Sequence, residues 1–222
     1  MTTNAYRAVL FDWRRTLVHD PDLDWWLEKS LTAIGRSPAE AASMKQALVQ
    51  AFERPEYAAL DLRMDTSAEQ HRADMLSVFG WAGLDAELSD ALYEQDFDPS
   101  SHELYPDVID ALTRVREAGM KTGLVSNIHF DLRPELQSQG VFDLLDAVVL
   151  SFEHGVQKPD RRIFQIALDA LHVLSSETIM VGDSNVHDGA AADLGIKTVI
   201  LPPLSTFGPR DFGAVLDLLD CR

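Results

Sequence analysis

The chain has 222 residues, 46% hydrophobic and 25% charged, which are the values of a globular protein long enough to bury a full core. Its 19 Lys and Arg against 36 Asp and Glu give a net charge of −17, a field that repels phosphate backbones and anionic lipid, so neither nucleic acid nor a membrane is expected as a partner. No apolar stretch reaches bilayer length, the start MTTNAYRAVLFDW lacks a signal-peptide pattern, and the single Cys221 leaves no intramolecular disulfide or thiolate cluster; a cytoplasmic address is expected, with Cys221 an incidental surface residue.

In chain order, the first short β-rich run is AVLF at Ala8 to Phe11. From Asp20 to Glu103 there follows a region without strand patterns but with four amphipathic helical stretches: LDWWLEKSLTAIG, SPAEAASMKQALVQAF, SAEQHRADMLSVFGWAG and AELSDALYEQDF. Ser37-Pro38-Ala39-Glu40 and Ser67-Ala68-Glu69-Gln70 read as helix starts. Pro106 marks the return, after which strands and helices alternate. The strands are TGLVS (Thr122 to Ser126), AVVLS (Ala147 to Ser151), IMVG (Ile179 to Gly182) and TVIL (Thr198 to Leu201). The helices are PDVIDALTRVREAG closing on Gly119, DLRPELQSQG closing on Gly140, PDRRIFQIALDAL opening with Pro159, and HDGAAADLG closing on Gly195. The expected fold is therefore α/β: a doubly wound, Rossmann-like parallel sheet (1–19 and 104–222) interrupted by an all-helical insert (20–103).

Ligands of such sheets sit beyond the carboxyl ends of the strands, and the polar residues collect there. Strand one ends in Asp12-Trp13-Arg14-Arg15-Thr16, strand two in Ser126-Asn127, and strand four in Gly182-Asp183-Ser184 followed by Asp188; Lys158 lies in the loop after strand three. Acidic groups converging with a lysine and hydroxyls suit a cation and a phosphate, since Mg²⁺ prefers oxygen ligands.

In this order, Asp12…Thr16, Ser126, Lys158 and Asp183…Asp188 resemble the four motifs of the haloacid dehalogenase superfamily. The helical insert lies where that family carries a helical cap, and LYPDV at Leu104 to Val108 resembles its return to the core. The resemblance implies a hydrolase in which Asp12 is the nucleophile and, in phosphatase members, carries an aspartyl-phosphate. It further implies that Thr16 and Ser126 donate hydrogen bonds to the transferring group and that Lys158 neutralises charge. Mg²⁺ is then the cofactor, held by Asp12, the backbone carbonyl of Arg14 and Asp183, with Asp188 supporting it through water or by pairing with Lys158. For Thr16 and Ser126 helix or turn capping is the rival role, and for Asp188 a helix N-terminus. Asn127 is a substrate-binding candidate, a group that orients its neighbours, or a turn residue. The implied substrate is a small phosphorylated anion.

The chain departs from that pattern two positions after the nucleophile, where phosphatases of the family carry a second, acid–base aspartate and this chain has Arg14. Loss of general acid–base help is worth about 10²–10⁴-fold, and arginine cannot replace it. Arg15 stands where the family has glycine. The two arginines either grip an anionic substrate or pair with Asp20, Asp22 or Asp24. Three readings follow: a phosphohydrolase restricted to good leaving groups, a dehalogenase-like enzyme attacking carbon, or an idle binding protein. In the insert, Arg54, Arg63, His71 and Arg72 are the cations available for ligand contact, and Trp25 and Trp26 read as its core. His129 and His187 are singled out because they follow Ser126 and Asp183 closely; with His154 they show no helical metal-ligand spacing.

Overall fold

The structure is a computed structural model and describes residues 5–204 and 206–220. Cys221 therefore lies outside the described residues. Five parallel strands form one sheet in the order β3-β2-β1-β4-β5: β1 (Ala8–Phe11), β2 (Lys121–Ser126), β3 (Ala147–Leu150), β4 (Thr178–Gly182) and β5 (Lys197–Ile200). In the central strand Ala8 faces Lys121 on one side and Thr178 on the other.

Between β1 and β2 the chain forms helices α1 (Leu23–Ala33), α2 (Ala41–Phe52), α3 (Pro55–Asp61), α4 (Ala68–Trp81) and α5 (Ala86–Glu94), then α6 (Val108–Glu117). The rest are α7 (Arg133–Ser138), α8 (Ser151–His154), α9 (Arg161–Leu171) and α10 (Gly213–Asp220). The side-chain alternation of a strand explains why helices cover both faces. Val9 and Phe11 of β1, with Leu124, Ile179 and Val181, join the apolar stripes of α6, α7 and α10. Ala8 and Leu10, with Val125 and Met180, pack on Ile163, Phe164, Ala167, Leu168 and Leu171 of α9. The insert has an apolar cluster of its own, built on Leu27, Leu31, Leu48, Met75, Phe79, Leu88 and Leu92.

All five strands stand where the apolar runs put them, with shifts of one residue at some ends. Ser151, read as the end of a strand, opens α8 instead. Its hydroxyl accepts from the Ile128 N–H at 2.9 Å and donates to the Asp65 carbonyl at 2.6 Å. Ser67 caps α4 as expected, accepting from the Gln70 N–H at 3.0 Å, whereas Ser37 caps only a short 3-10 turn before α2. The fifth insert helix, α3, was not expected; it has seven residues and no apolar repeat long enough to register. The HDGAAADLG segment is a 3-10 helix, Gly189–Leu194, rather than an α-helix, ended by Gly195 in a left-handed conformation. Helix α9 starts two residues later than its opening proline, with the Asp160 carboxylate accepting from the Arg162 N–H at 2.9 Å. No helix among the described residues is long and apolar enough to cross a membrane.

Phe164 is fully buried between α9 and the sheet, so Phe164→Ala is expected to cost about 3–5 kcal/mol in urea unfolding. A loss below about 1 kcal/mol would contradict this packing.

Candidate active site

The site starts at the carboxyl edge of the two central strands. The Asp12 N–H donates to the Val181 carbonyl at 2.9 Å, which continues the β1–β4 ladder one step and sets Asp12 beside Asp183. Carboxylate oxygens of Asp12, Asp183 and Asp188 all lie within 4.8 Å of one another. Lys158 arrives from the loop between α8 and α9 with its side chain 2% exposed, and its ammonium donates to Asp12 Oδ1 and Asp188 Oδ1, each at 2.6 Å. Thr16 Oγ1 donates to Asp12 Oδ2 at 3.1 Å.

Asp188 is fixed from both sides. Its Oδ2 accepts from the backbone N–H groups of Asp183 and Ser184, at 3.1 and 3.0 Å. Gly182 makes room for it, since a Cβ there would fall 2.1 Å from Asp188 Cγ. Asn127 holds Lys158 by a reciprocal pair: its Nδ2 donates to the Lys158 carbonyl at 2.9 Å and its Oδ1 accepts from the Lys158 N–H at 2.8 Å. Of the roles open to Asn127, orienting a neighbour is the one in place. Ser126 closes β2, buried, with Asn127, Ile128 and His129 continuing into the wall of the cavity. Burial pushes the Asp12 carboxyl up to about 6 despite Lys158, with the charges of Asp188 and Asp183 adding to the rise. Burial likewise raises Asp183, against the opposing pull of Arg15.

The two arginines part company. Arg14 reaches across to the insert, and its Nη2 donates to Asp96 Oδ1 at 3.0 Å, a partner outside the expected set of Asp20, Asp22 and Asp24. Arg15 turns back to the sheet, with Nε 3.0 Å from Asp183 Oδ2 and 3.8 Å from Asp20 Oδ2. Asp22 instead caps α1 and Asp24 pairs with Lys45. Arg210, which the sequence reading missed, is buried; its guanidinium donates from Nε to the Arg15 carbonyl and from Nη1 to the Pro202 carbonyl, both at 2.7 Å.

A cavity of about 420 Å³ lies between this edge and the insert, lined from below by Asp12, Lys158 and Asp183 and from above by Trp25, Asp65 and His71. Gln157, next to Lys158, ties the insert down: it accepts from the Asp65 N–H at 2.7 Å and donates to the Asp61 carbonyl at 2.6 Å. Among the insert cations proposed for ligand contact, His71 alone faces the cavity; Arg54 pairs with Glu56, Arg63 with Asp74 and Arg72 with Asp90. Both tryptophans line the cavity; Trp26 also packs on the insert's apolar cluster, as expected, and Trp25 carries Lys29 over its ring. His129 and His187 also line the cavity.

The His71 and His129 rings stack at 3.5 Å, 13° apart. His71 Nδ1 is 2.8 Å from Asp65 and its Nε2 is 3.3 Å from Asp96, the carboxylate that also holds Arg14. Asp65, His71 and His129 are near enough to share an ion. Yet ring-nitrogen lone pairs lie in the ring plane, so two nearly parallel imidazoles cannot converge on one metal. The pair works as a charge cluster instead. Burial disfavours the His71 imidazolium, but hydrogen bonds and charge from Asp65 and Asp96 outweigh it and lift His71 to about 9. Burial and the neighbouring His71 charge push His129 down to about 3. Burial would raise Asp96, but Arg14 and His71 hold it well below the usual carboxylate range.

A family model for haloacid dehalogenase-like hydrolases matches residues 6–195. The chain belongs to the haloacid dehalogenase-like hydrolases. Among curated relatives, (S)-2-haloacid dehalogenase 1 of a Pseudomonas species is 35% identical over 101 residues, 44% of this chain and 44% of its own. Phosphoserine phosphatase of Thermus thermophilus is 34% identical over 115 residues, 51% of this chain and 45% of its own. The chain thus spans about half the length of the curated relatives it matches. The solved structure of a HAD phosphatase from Thermococcus onnurineus superposes with a TM-score of 0.60 at 26% identity, covering 91% of this chain and 89% of that one. The family's members include both phosphatases and dehalogenases, and membership by itself does not choose between them.

The histidine cluster predicts a specific pH profile of stability. His71, raised in the fold, stabilises fully below about 6.5, and this contribution is lost as pH rises through about 9. His129, lowered in the fold, stabilises above about 6.5, and its contribution is lost as pH falls toward about 3. Urea midpoints measured from pH 6 to 10 should fall on the alkaline side in the wild type and fall less in His71→Gln; equal slopes would remove His71 as the cause.

Proposed function

We propose that the chain is a phosphohydrolase that transfers a phosphoryl group from a small phosphorylated substrate to Asp12 and then to water. The observation that carries this reading is the Asp12 carboxylate, buried yet facing the cavity, with the Lys158 ammonium at 2.6 Å and two further carboxylates beside it. An Asp12 oxygen attacks phosphorus, the bond to the leaving oxygen breaks with its electron pair, and water then cleaves the aspartyl-phosphate to inorganic phosphate and restores Asp12. Lys158 neutralises the charge that gathers at the transferring group, and Asp188 and Asn127 keep it aimed. Ser126 closes β2, and Thr16, in the turn after β1, orients Asp12 through its hydroxyl.

The donor set fits Mg²⁺: clustered carboxylate oxygens with no sulfur. In this reading Asp12, Asp183 and the Arg14 carbonyl hold the ion, which supplies charge neutralisation for the phosphoryl group. The helical insert serves as the cap, closing the cavity against water.

Neither arginine offers an acid–base carboxylate, and Asp96, brought to Arg14 by its ion pair, stays ionised and has no proton to give a leaving group. The reading therefore narrows to substrates whose leaving oxygen departs unprotonated, such as acyl phosphates. A second reading, hydrolytic dehalogenation by attack of Asp12 on carbon, is favoured by the same missing aspartate and by the arginine already seated on Asp183.

The test is a side-by-side assay with Mg²⁺. Acetyl phosphate should be hydrolysed with kcat/KM at least about 10²-fold above glycerol phosphate, whose alkoxide leaving group needs a proton, Asp12→Asn should abolish both, and beryllofluoride should form an adduct on Asp12. Halide release from 2-chloropropionate without phosphate turnover would replace this reading with the second, and inactivity on all three would leave a binding protein.

A further inference from the structure

Arg15 sits in a left-handed conformation, φ 58°, a region that disfavours any side chain bearing a Cβ. Its backbone is pinned nonetheless. The Arg15 N–H donates to the Val18 carbonyl at 2.7 Å, and its own carbonyl accepts from Arg210 Nε at 2.7 Å. So fixed, the residue lays its guanidinium over Asp183, Nε to Oδ2 at 3.0 Å, while the side chain as a whole stays 59% exposed at the mouth of the cavity. Asp183 is one of the three carboxylates that would take a divalent ion, and Lys158 already serves the other two.

We propose that the Arg15 guanidinium is a resident cation that competes with a divalent metal ion for Asp183, so that the ion pair must open before the metal binds. A guanidinium N–H and a metal ion draw on the same carboxylate electron density, and a positive group beside a doubly charged ion is repelled by it. With no ion bound, Arg15 is the counter-charge that keeps Asp183 from standing unpaired beside Asp12 and Asp188. The half-exposed side chain can swing into solvent, so competition rather than exclusion follows.

The inference rests on the cation site of the reading above, but its test needs no substrate. Mn²⁺ binding would be followed by calorimetry and by water-proton relaxation in the wild-type chain, Arg15→Gly, Arg15→Gln and Asp183→Asn. Both Arg15 variants should bind Mn²⁺ about tenfold more tightly than the wild type, and Asp183→Asn should lose binding. Unchanged or weaker affinity in the Arg15 variants would overturn the proposal, as would absence of binding in all four proteins. Tightening in Arg15→Gly alone would also overturn it, because relief of the left-handed backbone, not removal of charge, would then be the cause. A chain that hydrolyses no phosphate yet gains Mn²⁺ affinity in both variants would sustain this inference and remove only the phosphohydrolase reading.

Discussion

The Lys158 ammonium, 2% exposed and bridging Asp12 and Asp188, is the interaction on which the site depends. Three carboxylates gathered within 4.8 Å would repel one another strongly in a buried setting, and each would tend to take up a proton. One ammonium shared between two of them offsets part of that repulsion. The cost of burying Lys158 is offset only if both partners stay in place, and removing one partner of a buried pair is far more damaging than never having built it. That requirement reaches outward. Asn127 fixes the lysine's backbone, the N–H groups of Asp183 and Ser184 fix Asp188, and the missing side chain at Gly182 gives Asp188 its space.

The parallel sheet makes this arrangement accessible from distant sequence. β1 is flanked by β2 and β4, so residues 12, 127 and 183 emerge side by side although more than fifty residues separate each from the next. The strand ends, not the loops, determine the spacing. The insert meets them through backbone contacts, with Gln157 and Ser151 gripping the main chain of residues 61 and 65, and through side chains, with Arg14 on Asp96 and His129 stacked on His71. Placing Gln157 directly before Lys158 means that one short loop holds both the insert and the ammonium.

What could be read in the sequence follows from where the information lies. Strands buried on both faces are continuous apolar runs, and AVLF, AVVL and IMVG could hardly be anything else. Asp12 and Asp183 stood out because each directly follows a strand, and Lys158 and Asp188 because they complete the order of the family's motifs. Helix α3 did not, because seven residues hold too few turns for a repeat. Of the nearby Asp20, Asp22 and Asp24, only Asp20 meets Arg15, at 3.8 Å; the shorter pairs, Arg14 with Asp96 and Arg15 with Asp183, were hidden because they lie 82 and 168 positions away. Arg210 gave no signal, since its targets are backbone carbonyls. His71 looked like any cation on an amphipathic helix until its turn toward Asp65 and Asp96 became visible.

The opposite fates of two adjacent arginines show how one turn redirects chemistry. Arg14 forms a bridge with Val18 and sends its side chain up to the insert, while the left-handed step at Arg15 returns the next side chain to the sheet. Where the family resemblance implies a proton-transferring carboxylate and then a glycine, this chain has a tether in Arg14 and a charge in Arg15. Both changes pull the same way. Arg14 keeps Asp96 ionised at the junction of core and insert, Arg15 lies against Asp183, and Asp12 takes its counter-charge from Lys158 instead of a guanidinium. In the proposed reading, chemistry at this site turns on what Asp12 attacks, because the residues around it hold charge in place and offer no free proton-transferring carboxylate beside Arg14.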